Sequence, residues 1–391
     1  MISFAKAKET VLASARTLDT ERVDLADSLG RVLAEDVASD MDMPPFNKSA
    51  MDGYACKRSD LADPLTVIET LPAGIAPQKT ITSGKCAKIM TGAVVPEGAD
   101  CVIMKEYVEI LDENQIVFTG KSTKDNICIK GEDIKTGDIA LARSAIIAPQ
   151  HIAVLASVGC PQPLVSKKPT VGIIATGSEL VAPDSKPSPS QIRNSNSYQL
   201  TAQVEKAGAT PTNYGIAEDT EEAIGSVIKK AIAENDVVLI SGGVSVGDFD
   251  LVRDILKNNN VDLLFEKVAV KPGRPTVFGL TDNCCIFGLP GNPVSTFVLF
   301  EILVKPFLHK MMGCDQQENL VTACLHETIS RKKADRDSWL PVRFTETGTI
   351  KNIEYHGSAH INAMCGAQGL ICMPKGTAKL QEGTTIAVRP V

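Results

Sequence analysis

The residue types best suited to chemistry gather in Ser241-Gly242-Gly243-Val244-Ser245-Val246-Gly247-Asp248-Phe249-Asp250. The β-branched run Val237–Ile240 precedes this stretch, and apolar residues at helical spacing (Phe249, Leu251, Val252, Ile255, Leu256) follow its start. It therefore reads as the turn between a strand and a helix. Small residues let a ligand approach the backbone closely, and amides at a helix start favour an anion. Asp248 and Asp250 would repel a bare phosphate, and a divalent cation between carboxylate and phosphate removes that conflict. The turn points to a metal-assisted phosphate site.

Three further polar turns follow predicted strands. Thr176-Gly177-Ser178-Glu179 follows Val171–Ala175, Glu218-Asp219 follows Asn213–Ala217, and Gly288 to Ser295 closes the Cys285–Leu289 strand. Ligands of parallel sheets sit outside the carboxyl ends of the strands, so all four turns should converge. Glu179, Asp219 and Asp248 or Asp250 are the candidate ligands of Mg²⁺, which takes one or two carboxylates, waters and phosphate oxygens. Asp219 also has capping-box spacing to Glu222, and Asp248 could cap its own helix, which leaves Asp250 the better ligand of the two. Lys267 and Lys271 are four apart in an extended run and should share a face. Arg274 follows in a Pro-Gly turn, where its planar fork could grip an oxyanion. The plain structural reading of these three cations is a solvated hairpin tip.

Composition narrows the classes. The chain has 391 residues, 43% hydrophobic and 22% charged, with a formal net charge of −7. That is an ordinary balance for a soluble globular protein of several domains. Arg331-Lys332-Lys333 is its one dense basic run, so nucleic acid is not an expected partner. Eleven cysteines lie without CxxC spacing, which favours reduced thiols acting as small core hydrophobes. The amphipathic start (Phe4, Val11, Leu12, Ala15, Leu18, with Lys6, Lys8 and Glu9) is not a secretory signal, and no run approaches the roughly 18 apolar residues of a membrane span. A cytoplasmic location is expected, without a membrane. The five histidines lack zinc spacing, and no nucleophilic triad, Walker sequence or dinucleotide fingerprint is present.

The elements that must position these residues fall into blocks. Residues 1–40 read as helical and exit through Ser39–Asp42 into Pro44-Pro45. Short β runs (65–69, 86–90, 101–108, 115–118) between Gly, Pro and Asp turns mark a β-rich domain over 45–136. A helix resumes at Pro149, so the β-rich block is inserted into a helical and linker domain formed by 1–44 and 137–167. Residues 168–314 alternate strand and helix, the pattern of a doubly wound α/β parallel sheet covered on both faces. Residues 315–391 return to short β segments and read as a C-terminal β-barrel or sandwich.

Taken in order, Pro45-Phe46-Asn47-Lys48-Ser49-Ala50-Met51-Asp52-Gly53-Tyr54-Ala55, Met90-Thr91-Gly92-Ala93, Gly131-Glu132-Asp133, Ala175-Thr176-Gly177-Ser178-Glu179-Leu180, Asn194-Ser195-Asn196-Ser197, Ser241 to Gly247, Lys271-Pro272-Gly273-Arg274-Pro275 and Leu289-Pro290-Gly291-Asn292-Pro293 form a specific signature. Through it the chain resembles, over essentially its whole length, the molybdopterin molybdenumtransferases, that is, the bacterial MoeA proteins and the E domain of gephyrin.

The resemblance implies reaction of adenylylated molybdopterin with molybdate to give molybdenum cofactor and AMP, with Mg²⁺ required. It also implies an elongated homodimer of four-domain subunits, with the active cleft between the α/β domain of one subunit and the β domains of the other. Asp52, Thr91, Asp133, Lys267 and Lys271 fall on positions tied to activity, and Glu179, Asp219 and Asp250 on the metal. Ser241, Gly242, Gly243, Ser245, Gly291 and Asn292 would hold the pterin end. Lys271, Arg274 and the Gly357-Ser358 turn resemble the molybdate pocket. One departure stands out: Pro341 occupies the family's arginine position, and Arg343 lies two residues later with the same strand parity. Molybdopterin adenylyltransferase and molybdoenzyme chaperones are the candidate partners. The alternative functions are an adenylyltransferase, a tungstate-inserting paralogue and a non-catalytic scaffold.

Overall fold

The computed structural model describes residues 1–244, 251–315, 319–354 and 357–391. At its centre lies a six-stranded sheet in the order Thr210–Ala217, Thr170–Thr176, Val237–Ser241, Cys285–Leu289, Val277–Leu280 and Asp262–Phe265. The first four strands run parallel, Val277–Leu280 runs against them, and Asp262–Phe265 pairs antiparallel to Val277–Leu280. Strand alternation divides the apolar side chains between two layers. Ile173, Leu239 and Phe287 pack under helices α3 (Asn196–Lys206), α6 (Pro293–Leu299) and α7 (Lys305–Met311). Ile174, Ile240 and Ile286 pack under α4 (Glu221–Glu234) and α5 (Val252–Asn258). Every residue of Val237–Ser241 and Cys285–Leu289 is buried, as strands covered on both faces must be. The doubly wound domain is therefore present, with an antiparallel edge that the strand-helix rhythm did not predict.

The expectation of helix throughout residues 1–40 is corrected. Only α1 (Phe4–Ala13) is α-helical there, capped by Ser3, whose side chain accepts from the Lys6 amide. Thr20–Arg22 pairs instead with Leu164–Ser166, and Val37–Ala38 with Ile139–Leu141. Leu33 and Val37 are buried against Ile147, Val158, Val165 and Leu155 of α2 (Pro149–Ser157). These partners lie more than a hundred residues away in sequence, so local periodicity carries no trace of them.

The inserted domain is a second six-stranded sheet, ordered Cys101–Met104, Gly53–Cys56, Lys85–Ile89, Leu65–Leu71, Gln115–Phe118, Val108–Ile110. The C-terminal block is ordered Asp337–Phe344, Gly369–Met373, Thr385–Pro390, Val321–Cys324, around Val342, Ile350, Ile371 and Val388. Asp337–Phe344 also pairs with Ile350–Asn352, and Leu325, just past Val321–Cys324, bridges to Ile350, so the ladder returns to its first strand as the expected barrel does. Val270–Lys271 of the α/β domain joins this sheet parallel to Asp337 and Ser338, and Phe4 packs edge-on against Trp339 at 5.7 Å. None of the eleven cysteines is bridged. Burial pushes the thiols of Cys86, Cys284 and Cys372 up to about 12, so they stay protonated at neutral pH and act as small apolar fillers. Among the described residues no helix is long and apolar enough to cross a membrane.

Gly53 is where the inserted sheet tolerates least change. A Cβ there would lie 1.9 Å from the Ile103 carbonyl oxygen of the neighbouring strand. Gly53→Ala must part the two strands and is expected to destabilise by roughly 1–3 kcal/mol, as overpacking does. A denaturant titration unchanged from wild type would contradict this.

Candidate active site

The four polar turns meet. A cleft of about 670 Å³ opens at the carboxyl edge of the parallel strands, lined by Thr176, Gly177 and Glu179, by Asp219, by Ser241 to Val244, and by Pro290 to Pro293. The α3 start (Asn194, Ser195, Asn196) and Ala359 with Ile361 of the C-terminal block complete the wall. Each strand ends where its neighbour ends: Ala175 lies opposite Ser241, and Ser241 opposite Leu289. The loops that follow are thereby delivered to one edge.

Glycine shapes the floor. Gly242 has φ +101°, and a Cβ on it would meet the Thr176 carbonyl oxygen at 2.4 Å. Its amide donates to the Leu289 carbonyl at 3.1 Å. The loop after the 237–241 strand is thus folded tightly between its two neighbours, with no side chain at Gly242 or Gly243 to hold a ligand off.

Glu179 and Asp219 are exposed on the cleft wall. Asp219 Oδ2 accepts from the Ser178 amide at 2.6 Å. The N-cap of α4 is Thr220, whose Oγ1 accepts from the Ala223 amide at 3.2 Å, so Asp219 is not the capping residue its spacing suggested. Among the described residues nothing bonds to Asp219 Oδ1. Two carboxylates beside small-residue loops are a donor set that fits Mg²⁺, which completes its shell with water and phosphate oxygens. Among the described residues no third acid, His or Cys joins them. Asp248, Asp250 and Ser245 lie outside the described residues. Ser241 is buried, while Gly291 and Asn292 are exposed at the rim. The Ser358 carbonyl accepts from the Val294 amide at 3.0 Å, which ties that turn to the start of α6.

The cations lie off this lining. Val268 and Val270 are buried whereas Lys267 is half-buried and Lys271 exposed, as alternation along an extended run requires. Lys271 sits in a sheet strand, so the hairpin-tip reading is corrected for it. Arg274 is exposed and directly precedes the lining residue Pro275. Pro341 is buried and its carbonyl accepts from the Ile353 amide at 2.9 Å, while Arg343 is exposed opposite Lys351. Ser338 pairs with Lys271, so Arg343, five residues further along, is about 16 Å from that register position at ~3.3 Å per residue. Shared strand parity does not give Pro341 and Arg343 a shared environment.

Asp52 and Thr91 form a second group within the inserted domain, Asp133 lies in a separate turn, and none of the three lines the cleft. Asp52 Oδ1 accepts from both the amide and Oγ1 of Thr91, each at 2.8 Å, and Lys105 Nζ lies 3.4 Å from Oδ2. The Thr91 amide, then the Thr91 hydroxyl and Lys105, hold the Asp52 carboxyl below its ordinary 3.8. Asp133 lies in a turn whose amide donates to the Met43 carbonyl at 3.0 Å. Lys48–Ser49 pairs with Ile127–Cys128, and Asn47 Oδ1 accepts from the Lys130 amide at 2.9 Å. The dense loop from Pro44 to Gly53 is therefore built against the 127–134 turn, and Ser49, whose carbonyl accepts from the Gly92 amide, brings in the Thr91 turn. Sequence reasoning placed Asn196 in the signature but not in the cleft. Its signal was the Asn-Ser-Asn-Ser run opening a helix directly below the sheet edge.

A doubly wound sheet with a glycine-lined polar cleft, flanked by an inserted β domain and a C-terminal β block, defines the class. Residues 2–159 match the MoeA N-terminal region (domain I and II), 172–310 the probable molybdopterin binding domain, and 326–391 the MoeA C-terminal region (domain IV). A molybdopterin molybdenumtransferase of Staphylococcus epidermidis is 36% identical over 99% of this chain and 95% of its own length. The Bacillus subtilis protein of that name is 34% identical over 95% and 89%. The crystal structure of the molybdopterin biosynthesis MoeA protein from Pyrococcus horikoshii OT3 superposes with a TM-score of 0.85 at 33% identity, covering all of both chains. The chain belongs to the molybdopterin molybdenumtransferase (MoeA) family.

A carboxyl with a depressed pKa adds stability above the unfolded-state value, and that stability is lost as pH falls through the folded value. Asp52 should therefore stay ionised down to below pH 3.8. Thr91→Val removes one of the two Thr91 donors, so the Asp52 titration midpoint, followed by carboxyl ¹³C NMR, is expected to rise towards 3.8. An unmoved midpoint would show that the hydroxyl contributes nothing.

Proposed function

We propose that this chain inserts molybdate into adenylylated molybdopterin with release of AMP, the last step of molybdenum cofactor assembly. The observation that carries this reading is the cleft itself, where Glu179 and Asp219 stand beside the Ser241–Gly243 and Gly291–Asn292 turns. The two bacterial relatives, both named molybdenumtransferases, support it.

Glu179 and Asp219 would hold Mg²⁺, with Asp250 as the further candidate ligand. When bound, the ion neutralises charge on the pyrophosphate link. The side-chain-free turns would bring backbone amides and the Ser241 hydroxyl up to the substrate and keep its pterin end in place. Lys267 and Lys271, which have no carboxylate partner among the described residues, would stabilise charge growing on the phosphate oxygens. Lys271, Arg274 and Ser358 would take up the oxyanion, a substrate. Arg343, five residues along its strand from the Lys271 pairing, is the further candidate for this group.

The Asp52–Thr91 pair and Asp133 belong to a domain that does not line the cleft of its own chain, which favours a homodimer with an active site completed by the partner's inserted domain. The lack of a membrane-crossing helix among the described residues is consistent with the cytoplasmic setting we assign.

The test is AMP release from adenylylated molybdopterin with Mg²⁺ and molybdate or tungstate. Release should require the oxyanion and stop on chelation of the metal. Asp219→Asn and Glu179→Gln should each slow it by roughly 10²–10³-fold. Turnover close to wild type in both variants would remove the metal assignment, and a faster rate with tungstate would reassign the oxyanion.

A further inference from the structure

Asn196 stands at the first turn of α3, 7% exposed. Its Nδ2 donates to Ser241 Oγ at 2.7 Å and to the Gly291 carbonyl at 2.8 Å. A carbonyl can only accept, so the orientation of this amide is fixed by its surroundings. These two partners belong to the turns after two adjacent strands, and the turns touch: a Cβ on Gly291 would lie 3.7 Å from the Gly242 Cα. One side chain from a helix thus fastens both ligand-facing turns to each other and to the scaffold.

The fastening leaves something unmade. Asn196 Oδ1 is buried with no hydrogen-bond partner among the described residues, and so is Thr176 Oγ1. Buried polar atoms without a partner are rare and cost stability. A residue kept only for stability would not need an oxygen there. Asn194, two residues earlier, shows the contrast: its Oδ1 accepts from the Ser197 amide at 3.1 Å and its Nδ2 donates to Ser197 Oγ at 2.9 Å, using both ends locally.

We propose that Asn196 is a positioning residue for substrate binding, fixing the spacing of the Ser241–Gly243 and Gly291–Asn292 turns on which the pterin-bearing substrate rests. This rests on the reading of the cleft given above. Asn196 acts through Ser241 and Gly291 and is assigned no role in bond breaking. Its loss should therefore weaken binding while leaving the chemical step largely intact.

Asn196→Leu keeps the size and removes both donors. The dissociation constant for adenylylated molybdopterin, titrated by pterin fluorescence with Mg²⁺ and oxyanion withheld, should rise by roughly ten- to thirtyfold, as loss of two hydrogen bonds predicts. KM should rise in step, with kcat within about threefold of wild type. Gln203, further along α3, bonds to Glu301 instead of to either turn. Gln203→Met should lower the melting temperature without moving the dissociation constant. Should Asn196→Leu fail to fold, Asn196→Asp takes its place, since its second oxygen opposes the Gly291 carbonyl and must loosen the same turns. A dissociation constant within twofold of wild type in the folded variant, or a rise matched by Gln203→Met, would overturn the proposal. Absence of AMP release by the wild type would instead count against the assigned reaction, and the binding titration would still decide the role of Asn196.

Discussion

Parallel pairing of the Thr210–Ala217, Thr170–Thr176, Val237–Ser241 and Cys285–Leu289 strands is the constraint on which the rest of this molecule depends. Parallel neighbours in register must end together, so their outgoing loops share one edge whatever their sequences. The pairing in turn depends on two apolar layers, because the polar backbone of a fully buried strand is satisfied only by its neighbours. Phe278, Phe287 and Phe307 pack ring against ring on one face, with centroids 4.8–6.2 Å apart. Ile174, Ile228, Ile240 and Leu256 fill the other. Chemistry at the edge is free to be polar and glycine-rich because stability is supplied beneath it.

Much of that edge was legible in the sequence. Short β-branched runs that break into Gly, Ser and acidic residues before an amphipathic segment identify both strand and turn, and the rule for parallel sheets gives the side on which they meet. Local patterning failed where partners are remote. Thr20–Arg22 and Val37–Ala38 are extended because residues 139–166 lie alongside them, and nothing in their own spacing says so. Asp219 shows the opposite hazard, since its spacing to Glu222 suggested a cap and one residue of difference handed that role to Thr220. Strand parity left open whether Arg343 replaces the missing arginine, because parity carries no measure of how far along the strand a residue lies.

The acidic groups of the chain are held in two different ways. Asp52 is saturated, taking two bonds from Thr91 and facing Lys105, and its environment lowers its proton affinity. Asp219 receives one backbone amide and Glu179 stands exposed beside the glycine turn. A carboxylate already supplied with donors suits orientation of its own loop, whereas one with oxygens to spare suits a hard cation. In the Pro44–Gly53 loop, Asn47 Oδ1 binds the 127–134 turn, the Ser49 backbone binds the Thr91 turn, and the Ser49 hydroxyl donates to Met51 of the loop itself.

Val270–Lys271 leaves the α/β domain to become an edge strand of the C-terminal sheet, parallel to Asp337 and Ser338. The cation at its end is consequently mounted on one domain and anchored in another. Any tilt of the C-terminal block would be transmitted through the shared ladder as a displacement of positive charge relative to the carboxylates, which ride on the central sheet. The separation of that cation from the carboxylates therefore depends on how the two domains pack and not on any single side chain.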